Sequence, residues 1–329
     1  MLSIRRRDLI TLVGGAAAWP LSAGAQQAGK LPTIGWLDSD RSPVEASTAF
    51  NQGLAEAGYV VGRNLNLEYR SAEGDNGKLP ALAAEFVRRQ VAVIVTTTGS
   101  AVRAAKAATQ NIPIVFSIGG DPVEEGVVAS LNRPGSNATG VTILATEIAA
   151  KRFELLHELV PKAESIAAMV TGTSNDFTRA QSKGFQSAAL TLRVRLLPIN
   201  VVTESDIAGA FANAVQQHAG ALLVGGSQVF GITQAPQIIS LANRYALPTM
   251  FSRNNAVAAG ALASYGSEPL APSRQMGVYT GRILKGEKPG DLPVVLPTKF
   301  TLAINLKTAK ALGLAVSQDM LSIADEVIE

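Results

Sequence analysis

The chain has 329 residues, of which 47% are hydrophobic and 17% are charged, with a formal net charge of +3. This composition excludes intrinsic disorder, because the chain can bury a large hydrophobic core. The length exceeds that of a typical domain and predicts two lobes of about 100 to 200 residues each.

The first 25 residues have the layout of an export signal. Three arginines at positions 5–7 precede an apolar run at 9–21, and the small residues Ala-Gly-Ala follow at 23–25. The segment 6–10, Arg-Arg-Asp-Leu-Ile, matches the twin-arginine pattern. Because the apolar run is too short to span a bilayer, we predict a signal of the twin-arginine type, with an uncleaved amphipathic anchor as the alternative.

Without this segment the chain has almost no net charge, so it is not a strongly basic protein. Three of the 29 basic and one of the 26 acidic residues lie within the first 25, which leaves 26 basic and 25 acidic side chains. Nucleic-acid binding needs a clustered excess of Lys and Arg. We therefore predict no nucleic-acid partner, and the absence of a later run of 18 apolar residues predicts no membrane span.

The chain has no cysteine and only two histidines, His157 and His218. Disulfides, thiolate catalysis and thiolate metal sites are therefore excluded. The histidines lack metal-binding spacing and are interpreted as solvated or cap-region side chains. The sequence thus predicts neither a metal nor a cofactor, and the lack of thiols suits an oxidising compartment.

Short β-rich runs alternate with helical stretches from residue 33 onward. In the first half, strands are predicted at 33–37, 65–70, 91–96, 114–117 and 140–143, with helices from about 42, at 79–89, at 101–109 and after Asp121-Pro122. In the second half, helices are predicted at 148–160, 179–192, from 205, at 237–245 and at 273–285, with strands at 166–170, 194–199, 221–224 and 249–252. Such alternation predicts mainly parallel sheets with helices on both faces.

The two halves resemble each other. Residues 112–117 (Ile-Pro-Ile-Val-Phe-Ser) match residues 247–252 (Leu-Pro-Thr-Met-Phe-Ser), 93–95 match 222–224, and Thr33 matches Ser165. Three offsets that differ by only a few residues indicate two lobes with one strand order. We predict an α/β fold of two Rossmann-like lobes, with residues 31–145 plus about 267–293 in lobe 1 and residues 146–266 plus about 294–329 in lobe 2. Connections near 141–147, 261–268 and 292–300 would form a multi-segment hinge that restricts motion to opening and closing.

Small polar residues follow most of the predicted strands, where ligands collect in open α/β sheets. Asp121 could pair with a ligand ammonium and Arg253 could clamp a carboxylate. The alternative is that these residues only cap strand-to-helix turns. The predicted ligand contacts are Asp38, Ser39, Thr98, Gly99, Ser117, Asp121, Thr173, Asn175, Ser227, Ser252 and Arg253.

Catalytic motifs are absent from the sequence. No dinucleotide-binding glycine fingerprint, Walker lysine or nucleophile-elbow serine is present. Lys151-Arg152 is interpreted as a solvated helix face, and Trp36 as a core residue. Phe177 and Phe230 are candidates for covering an apolar part of a ligand, with inward packing as the alternative for Phe230. The sequence therefore predicts a binding protein rather than an enzyme.

Several motifs resemble one protein family. Residues 112–116 run into Gly-Asp-Pro-Val-Glu at 120–124, followed by Ser-Leu-Asn-Arg-Pro-Gly at 130–135 and Thr-Gly-Val at 139–141. Together with 260–266, 297–300 and 304–310, they are similar to bacterial ABC-transporter substrate-binding proteins, whose best-known members take up tryptophan and tyrosine. The chain departs from that family at Gly260-Ala261 and at 173–176.

The resemblance implies a type I periplasmic-binding fold and a periplasmic protein that binds a small molecule between its lobes. Its ligand would be an amino acid or another aromatic or aliphatic carboxylate, delivered to an ABC permease with its ATPase. The chain would then meet the membrane only through the permease. Two alternatives stay open: a ligand-sensing module for a chemoreceptor or kinase, and an exported hydrolase or lyase that uses carboxylates.

Overall fold

A computed structural model describes residues 31–39, 44–171, 176–226, 230 and 233–329. Residues 32–329 form one compact unit. The export signal predicted for residues 1–25 lies outside the described residues. No helix in the described ranges has the length and apolar character that crossing a membrane would require.

The first sheet is entirely parallel. Its strands are β1 (Thr33–Asp38), β2 (Asn66–Ser71), β3 (Val93–Thr96), β4 (Ile114–Ile118) and β5 (Ala138–Thr142), in the order β2-β1-β3-β4-β5. Every residue of β3 and β5 is buried, as expected for parallel strands covered on both faces. Trp36 in β1 packs edge-on against Phe50 at a centroid distance of 4.9 Å, which confirms it as a core residue.

The second sheet has seven strands. They are β6 (Ser165–Thr171), β7 (Arg195–Val201), β8 (Ala221–Val224), β9 (Thr249–Phe251), β10 (Ala263–Ser267), β11 (Phe300–Asn305) and β12 (Glu326–Ile328), in the order β12-β11-β10-β9-β8-β6-β7. Only the β10–β11 pair is antiparallel among these neighbours. Each sheet has a hydrophobic core on both of its faces.

Helices connect and cover the strands. They are α1 (Val44–Glu56), α2 (Leu79–Arg88), α3 (Gly99–Ala108), α4 (Ala145–Leu159), α5 (Asp176–Leu192), α6 (Asp206–Gln216), α7 (Ala235–Arg244), α8 (Asn255–Ala258), α9 (Ala271–Leu284), α10 (Leu306–Ala311) and α11 (Gln318–Ile323). Apolar residues at helical spacing explain the packing, as in α2, where Leu79, Ala83 and Phe86 are buried. Thr98 caps the N-terminus of α3 by accepting a hydrogen bond from the amide of Ala101.

The repeat predicted from the sequence is confirmed. The order β2-β1-β3-β4-β5 in the first sheet recurs as β7-β6-β8-β9-β10 in the second. The residues matched by sequence, Thr33 with Ser165 and 93–95 with 222–224, lie in corresponding strands. Two similar lobes, each a mainly parallel sheet flanked by helices, therefore form the fold.

The chain passes between the two sheets three times. It leaves β5 for α4, leaves β10 for α9, which packs against α1, and returns after the turn at Pro289–Asp291 to β11. The third passage touches the first, since Val141 and Val295 form a β-bridge. The residues predicted as the lobe boundaries, 145, 266 and 293, stay a prediction.

One expectation about local structure is wrong. No helix follows Asp121-Pro122, where the chain makes consecutive turns that end at Gly126, with φ of 67°. A left-handed residue so close to the start cannot continue a helix. The stretch 261–268, predicted as a connection, includes strand β10, and the chain passes to the first lobe directly after this strand.

Candidate ligand-binding site

A cavity of about 510 Å³ lies between the two sheets, where the carboxyl ends of their parallel strands face each other. Its size is within the range typical of small-molecule sites. Both lobes contribute to its wall. The lining residues are Ala46, Thr97, Thr98, Gly99, Ser117, Gly119, Ile143, Ala145, Ile148, Arg152, Thr171, Asp176, Phe177, Thr178, Gln181, Gly226, Ser252, Arg253, Gly266, Ser267, Glu268, Pro269, Pro272 and Ser273.

Five of the residues predicted from the sequence line this cavity, namely Thr98, Gly99, Ser117, Ser252 and Arg253. These residues lie at the ends of β3, β4 and β9. They were predicted because ligands bind at the carboxyl ends of the strands in open α/β sheets. Three others, Thr173, Asn175 and Ser227, lie outside the described residues. Asp38, Ser39 and Asp121 are described and are not part of the lining. Ligand contact by any of the eleven stays a prediction.

The hydroxyl groups of Ser117 and Ser252 are available to a ligand. Within the described residues neither side chain makes a hydrogen bond to protein, although both line the cavity. They occupy corresponding positions at the ends of β4 and β9, so one hydroxyl is presented from each lobe. The Thr98 hydroxyl is more constrained, because it caps α3 and also shares a hydrogen bond of 3.1 Å with Ser39.

The carboxylate of Asp38 is buried and forms hydrogen bonds to other groups of the protein. The carboxylate is 1% exposed and accepts hydrogen bonds from the Trp36 indole at 2.6 Å, the Thr97 amide at 2.6 Å and the Thr97 hydroxyl at 2.8 Å. These bonds fasten the end of β1 to the loop after β3. Asp38 therefore positions Thr97, which does line the cavity.

Ser39 and Asp121 also support the loops. The Ser39 hydroxyl bonds to the hydroxyls of Thr98 and Ser100, at 3.1 and 2.8 Å. Asp121 accepts hydrogen bonds from the amides of Val123 at 2.7 Å and Glu124 at 3.3 Å, which is an Asx-turn arrangement. Asp121 thus caps a turn, as the alternative interpretation of the sequence expects, whereas Ser39 links the end of β1 to the start of α3.

Arg152 is a lining residue that sequence reasoning missed. Its interpretation as part of a solvated helix face is wrong, because the side chain is 2% exposed. Its guanidinium donates to the backbone carbonyl of Val224 at 3.3 Å and to the Gln181 amide oxygen at 3.0 Å, and it lies 5.7 Å from the centre of the Phe185 ring. Burial lowers the pKa of Arg152 to about 10, so the group remains a cation at neutral pH.

At the start of α5, Asp176 and Phe177 of the second lobe pack against two glycines of the first lobe, Gly99 and Gly119. A Cβ atom on Gly119 would lie 2.7 Å from the Phe177 ring, and one on Gly99 would lie 2.6 Å from the Asp176 carboxylate. Such distances exclude larger residues at both glycines without rearrangement. Phe177, expected to cover an apolar part of a ligand, lines the cavity.

An ion cluster at the mouth of the cavity joins the lobes. Arg103 of α3 pairs with Asp176 of α5 at 3.3 Å and with Glu125 at 3.1 Å, and Asp176 also contacts Arg179. The pKa of Glu125 is raised, chiefly because partial burial disfavours its charged form, against the opposing attraction of Arg103. This cluster spans the gap that opening the lobes would widen.

Arg253, the predicted carboxylate clamp, keeps its guanidinium free of hydrogen bonds and ion pairs within the described residues. Partial burial lowers its pKa, and the charge of Glu45 on α1 opposes that shift. Within the same described ranges, no three acidic or histidine side chains come together as metal ligands would.

Comparison with known proteins identifies the family. A family model described as ABC transporter substrate binding protein matches residues 39–328, which is nearly all of the chain after the predicted signal. The chain belongs to this family. A relative within it, the tyrosine-binding protein of Clostridioides difficile, is 28% identical over 271 residues, covering 82% of this chain and 77% of the relative.

Solved structures related to this family share the architecture. The ABC domain from Streptococcus pneumoniae in complex with L-Trp has a TM-score of 0.71 at 25% identity, covering 91% of this chain and 100% of that one. A conserved domain protein from Vibrio cholerae has a TM-score of 0.73 at 24% identity, with the same coverage. The fold is therefore the type I periplasmic-binding fold, and family and fold are those of solute-binding proteins rather than enzymes.

Proposed function

We propose that the protein is an exported solute receptor that closes on a small molecule and delivers it to an ABC permease with its ATPase. The ligand class is an amino acid or another aromatic or aliphatic carboxylate. The observation that carries the proposal is the cavity of about 510 Å³ whose wall is supplied by both lobes. A ligand in such a cavity touches both lobes, so it favours the closed state through its differential affinity for that state.

The chemistry of the wall supports binding rather than turnover. Hydroxyls from Ser117 and Ser252, together with the guanidinium of Arg253, can hydrogen-bond a small polar ligand. Ile148 and Phe177 offer apolar surface beside them. Among the described lining residues, the carboxylate of Asp176 is occupied by two arginines and that of Glu268 is exposed to water, so they form no acid–base pair for hydrolysis. We therefore propose that the protein has no enzymatic activity.

Closure of the lobes would signal to the permease that a ligand is bound. We propose that residues 31–145 with about 267–293 move as one body, and residues 146–266 with about 294–329 as the other. Three connections restrict such motion to opening and closing about a hinge. The closed shape would be the form that docks on the permease, and a periplasmic location follows from the export signal predicted at residues 1–25.

A ligand that binds this cavity should raise the thermal stability of the purified protein. At 100 times its dissociation constant it contributes about 2.7 kcal/mol to the free energy of unfolding, because it binds only the folded state. We expect such a shift for at least one compound in a panel of amino acids, aromatic acids, aliphatic acids and sugars, measured by differential scanning fluorimetry.

Two serine variants localise the effect. Replacing the lining hydroxyl by Ser252→Ala should weaken binding by about 1 kcal/mol, the usual contribution of one hydrogen bond. The matched control is Ser187→Ala on the exposed face of α5, which should leave the shift unchanged. No stabilisation by any compound in the panel would contradict the proposed function.

A further inference from the structure

Arg152 presents a buried positive charge to the cavity. The side chain is 98% buried. Among the described residues, its Nη atoms donate to a backbone carbonyl and a neutral amide oxygen, and its buried Nε has no hydrogen-bond partner. Neutral acceptors solvate a guanidinium partly and do not cancel its charge. The buried charge of Arg152 is therefore not neutralised, and an anion bound at the cavity wall would stabilise it.

No carboxylate in the described residues pairs with Arg152 and neutralises its charge. Arg152 takes part in none of the ion pairs there, and the only large influence on its pKa is the removal of water. Of the internal segments outside the described residues, 172–175, 227–229 and 231–232 contain no Asp or Glu, and 40–43 contains one, Asp40. An uncompensated buried charge costs several kcal/mol, and a bound anion would remove that cost.

A second cation reaches the same cavity from the end of β9. Arg253 also lines the wall, is partly buried and makes no ion pair in the described part of the chain. Its nearest acidic influence is Glu45, whose side chain is exposed on α1. Among the described residues, the cavity wall therefore has two guanidinium groups that form no ion pair with a carboxylate.

The acids that line the cavity are poorly placed to receive an ammonium group. Asp176 is engaged by Arg103 and Arg179, and Glu268 is exposed to water. Asp121, the residue expected from sequence to hold an ammonium, accepts two backbone amides and lies outside the lining. Among the described lining residues, a ligand ammonium would thus find only the solvated carboxylate of Glu268 outside an ion pair.

We propose that the cavity selects an organic carboxylate that lacks an α-ammonium group. The ligand's carboxylate neutralises Arg152 and Arg253, and an apolar body packs against Phe177 and Ile148. This inference rests on the proposed function and narrows it, because it excludes free amino acids as the preferred ligands. The two cations set the preference, since a zwitterion brings a positive charge into a site that already has two.

Matched pairs of compounds test the preference by isothermal titration calorimetry on the full chain. The pairs are L-tyrosine with 3-(4-hydroxyphenyl)propionate and L-tryptophan with 3-(indol-3-yl)propionate, and tryptamine serves as the cation. We expect at least one propionate to bind at least tenfold more tightly than its amino acid, and tryptamine not to bind. An amino acid that binds as tightly as its propionate, or more tightly, would overturn the inference.

Substitution of Arg152 tests its role. Arg152→Met, which keeps an unbranched apolar side chain and removes the guanidinium group with its charge, should raise the dissociation constant of the propionate at least tenfold, and Arg152→Lys should recover part of the affinity. The control is Lys151→Met, the exposed neighbour on α4, which should not change it. If Arg152→Met fails to fold by circular dichroism, Arg253→Gln takes its place with the same expected loss.

The outcomes separate this inference from the proposed function. If neither arginine variant alters the affinity, the two cations do not bind the carboxylate and the inference is wrong. If only amino acids bind, the protein remains a solute receptor and the inference alone fails. If no compound binds, the proposed function fails as well.

Discussion

Replacing Gly53 by alanine should destabilise the protein by about 3 kcal/mol, because the contact between α1 and α9 leaves no room for a side chain. A Cβ atom on Gly53 would lie 2.0 Å from the carbonyl oxygen of Arg274 and 2.8 Å from the amide nitrogen of Val278. Both neighbours are backbone atoms of α9, so no side-chain rotation relieves the clash. Urea denaturation at equilibrium measures the change.

This contact matters for the arrangement of the lobes. Gly277 on α9 faces α1 in the same way, since its Cβ would lie 2.1 Å from the carbonyl oxygen of Phe50. α9 follows β10 of the second sheet and packs on the helix that covers the first. The two glycines therefore allow the returning chain to pack tightly against the first lobe.

The matched control is Gly209→Ala on the exposed face of α6, where a Cβ would meet no atom within 4 Å. Alanine is the better helix former, so this variant should be more stable than the parent by about 0.5–1 kcal/mol. Equal stability of the Gly53 and Gly209 variants would show that α1 and α9 do not approach as closely as described.

Asp38→Ala should cost about 4 kcal/mol of the free energy of unfolding. The substitution leaves the buried indole N–H of Trp36 and the amide of Thr97 without their acceptor, and each unpaired donor costs about 1–3 kcal/mol. Ligand affinity should fall too, because Thr97 and its neighbour Thr98 line the cavity. Thermal unfolding and calorimetry with the best ligand measure the two effects.

Asp121→Ala is the control for this variant, because Asp121 also accepts two hydrogen bonds but is only partly buried. Loss of a capping carboxylate of this kind costs about 1 kcal/mol. Ligand affinity should be unchanged, since Asp121 lies outside the lining. Complete loss of binding in Asp121→Ala would instead make Asp121 a ligand contact, and a small effect of Asp38→Ala would contradict its structural role.

The sequence predicts the fold well because the fold depends on patterns that repeat. Apolar runs of strand length and helices with a buried stripe recur in the same order, and the match of 112–117 with 247–252 locates β4 and β9 correctly. The segment after Pro122 breaks this rule, because Gly126 ends the turn before a helix can form. The sequence Ala-Ser-Tyr-Gly-Ser of β10 is too short and polar to indicate a strand, whereas Phe-Thr-Leu-Ala-Ile-Asn of β11 alternates and could have been predicted as one.

The site is predicted only in part, because the strand ends fix a location and not the use of each side chain. Thr98, Ser117 and Ser252 face the cavity, whereas Asp38 from the same pattern turns into the protein. Whether such a side chain faces the cavity or the protein interior depends on its hydrogen-bond partners. For Asp38 these are the indole of Trp36 and, from the loop after β3, Thr97. No local signal distinguishes the two.

Arg152 was missed because a Lys-Arg pair on a helix is usually solvated. Adjacent helical positions point about 100° apart, so both residues need not share a face. Arg152 lies four residues after Ile148 and four before Leu156, on the stripe that Ala145 and Ala149 begin, and its burial could have been inferred from that spacing. Its acceptors, the carbonyl of Val224 and the amide of Gln181, come from other elements and were not predictable.

The most direct measurement of the central claim is the distance between the lobes with and without ligand. The chain has no native cysteine, so Glu124→Cys on the first lobe and Lys183→Cys on α5 accept spin labels at two defined, exposed positions outside the cavity lining. Double electron–electron resonance should show a broad distribution that shortens and narrows when a binding carboxylate is added. A distribution that stays the same at saturating ligand would contradict closure of two lobes on a shared ligand.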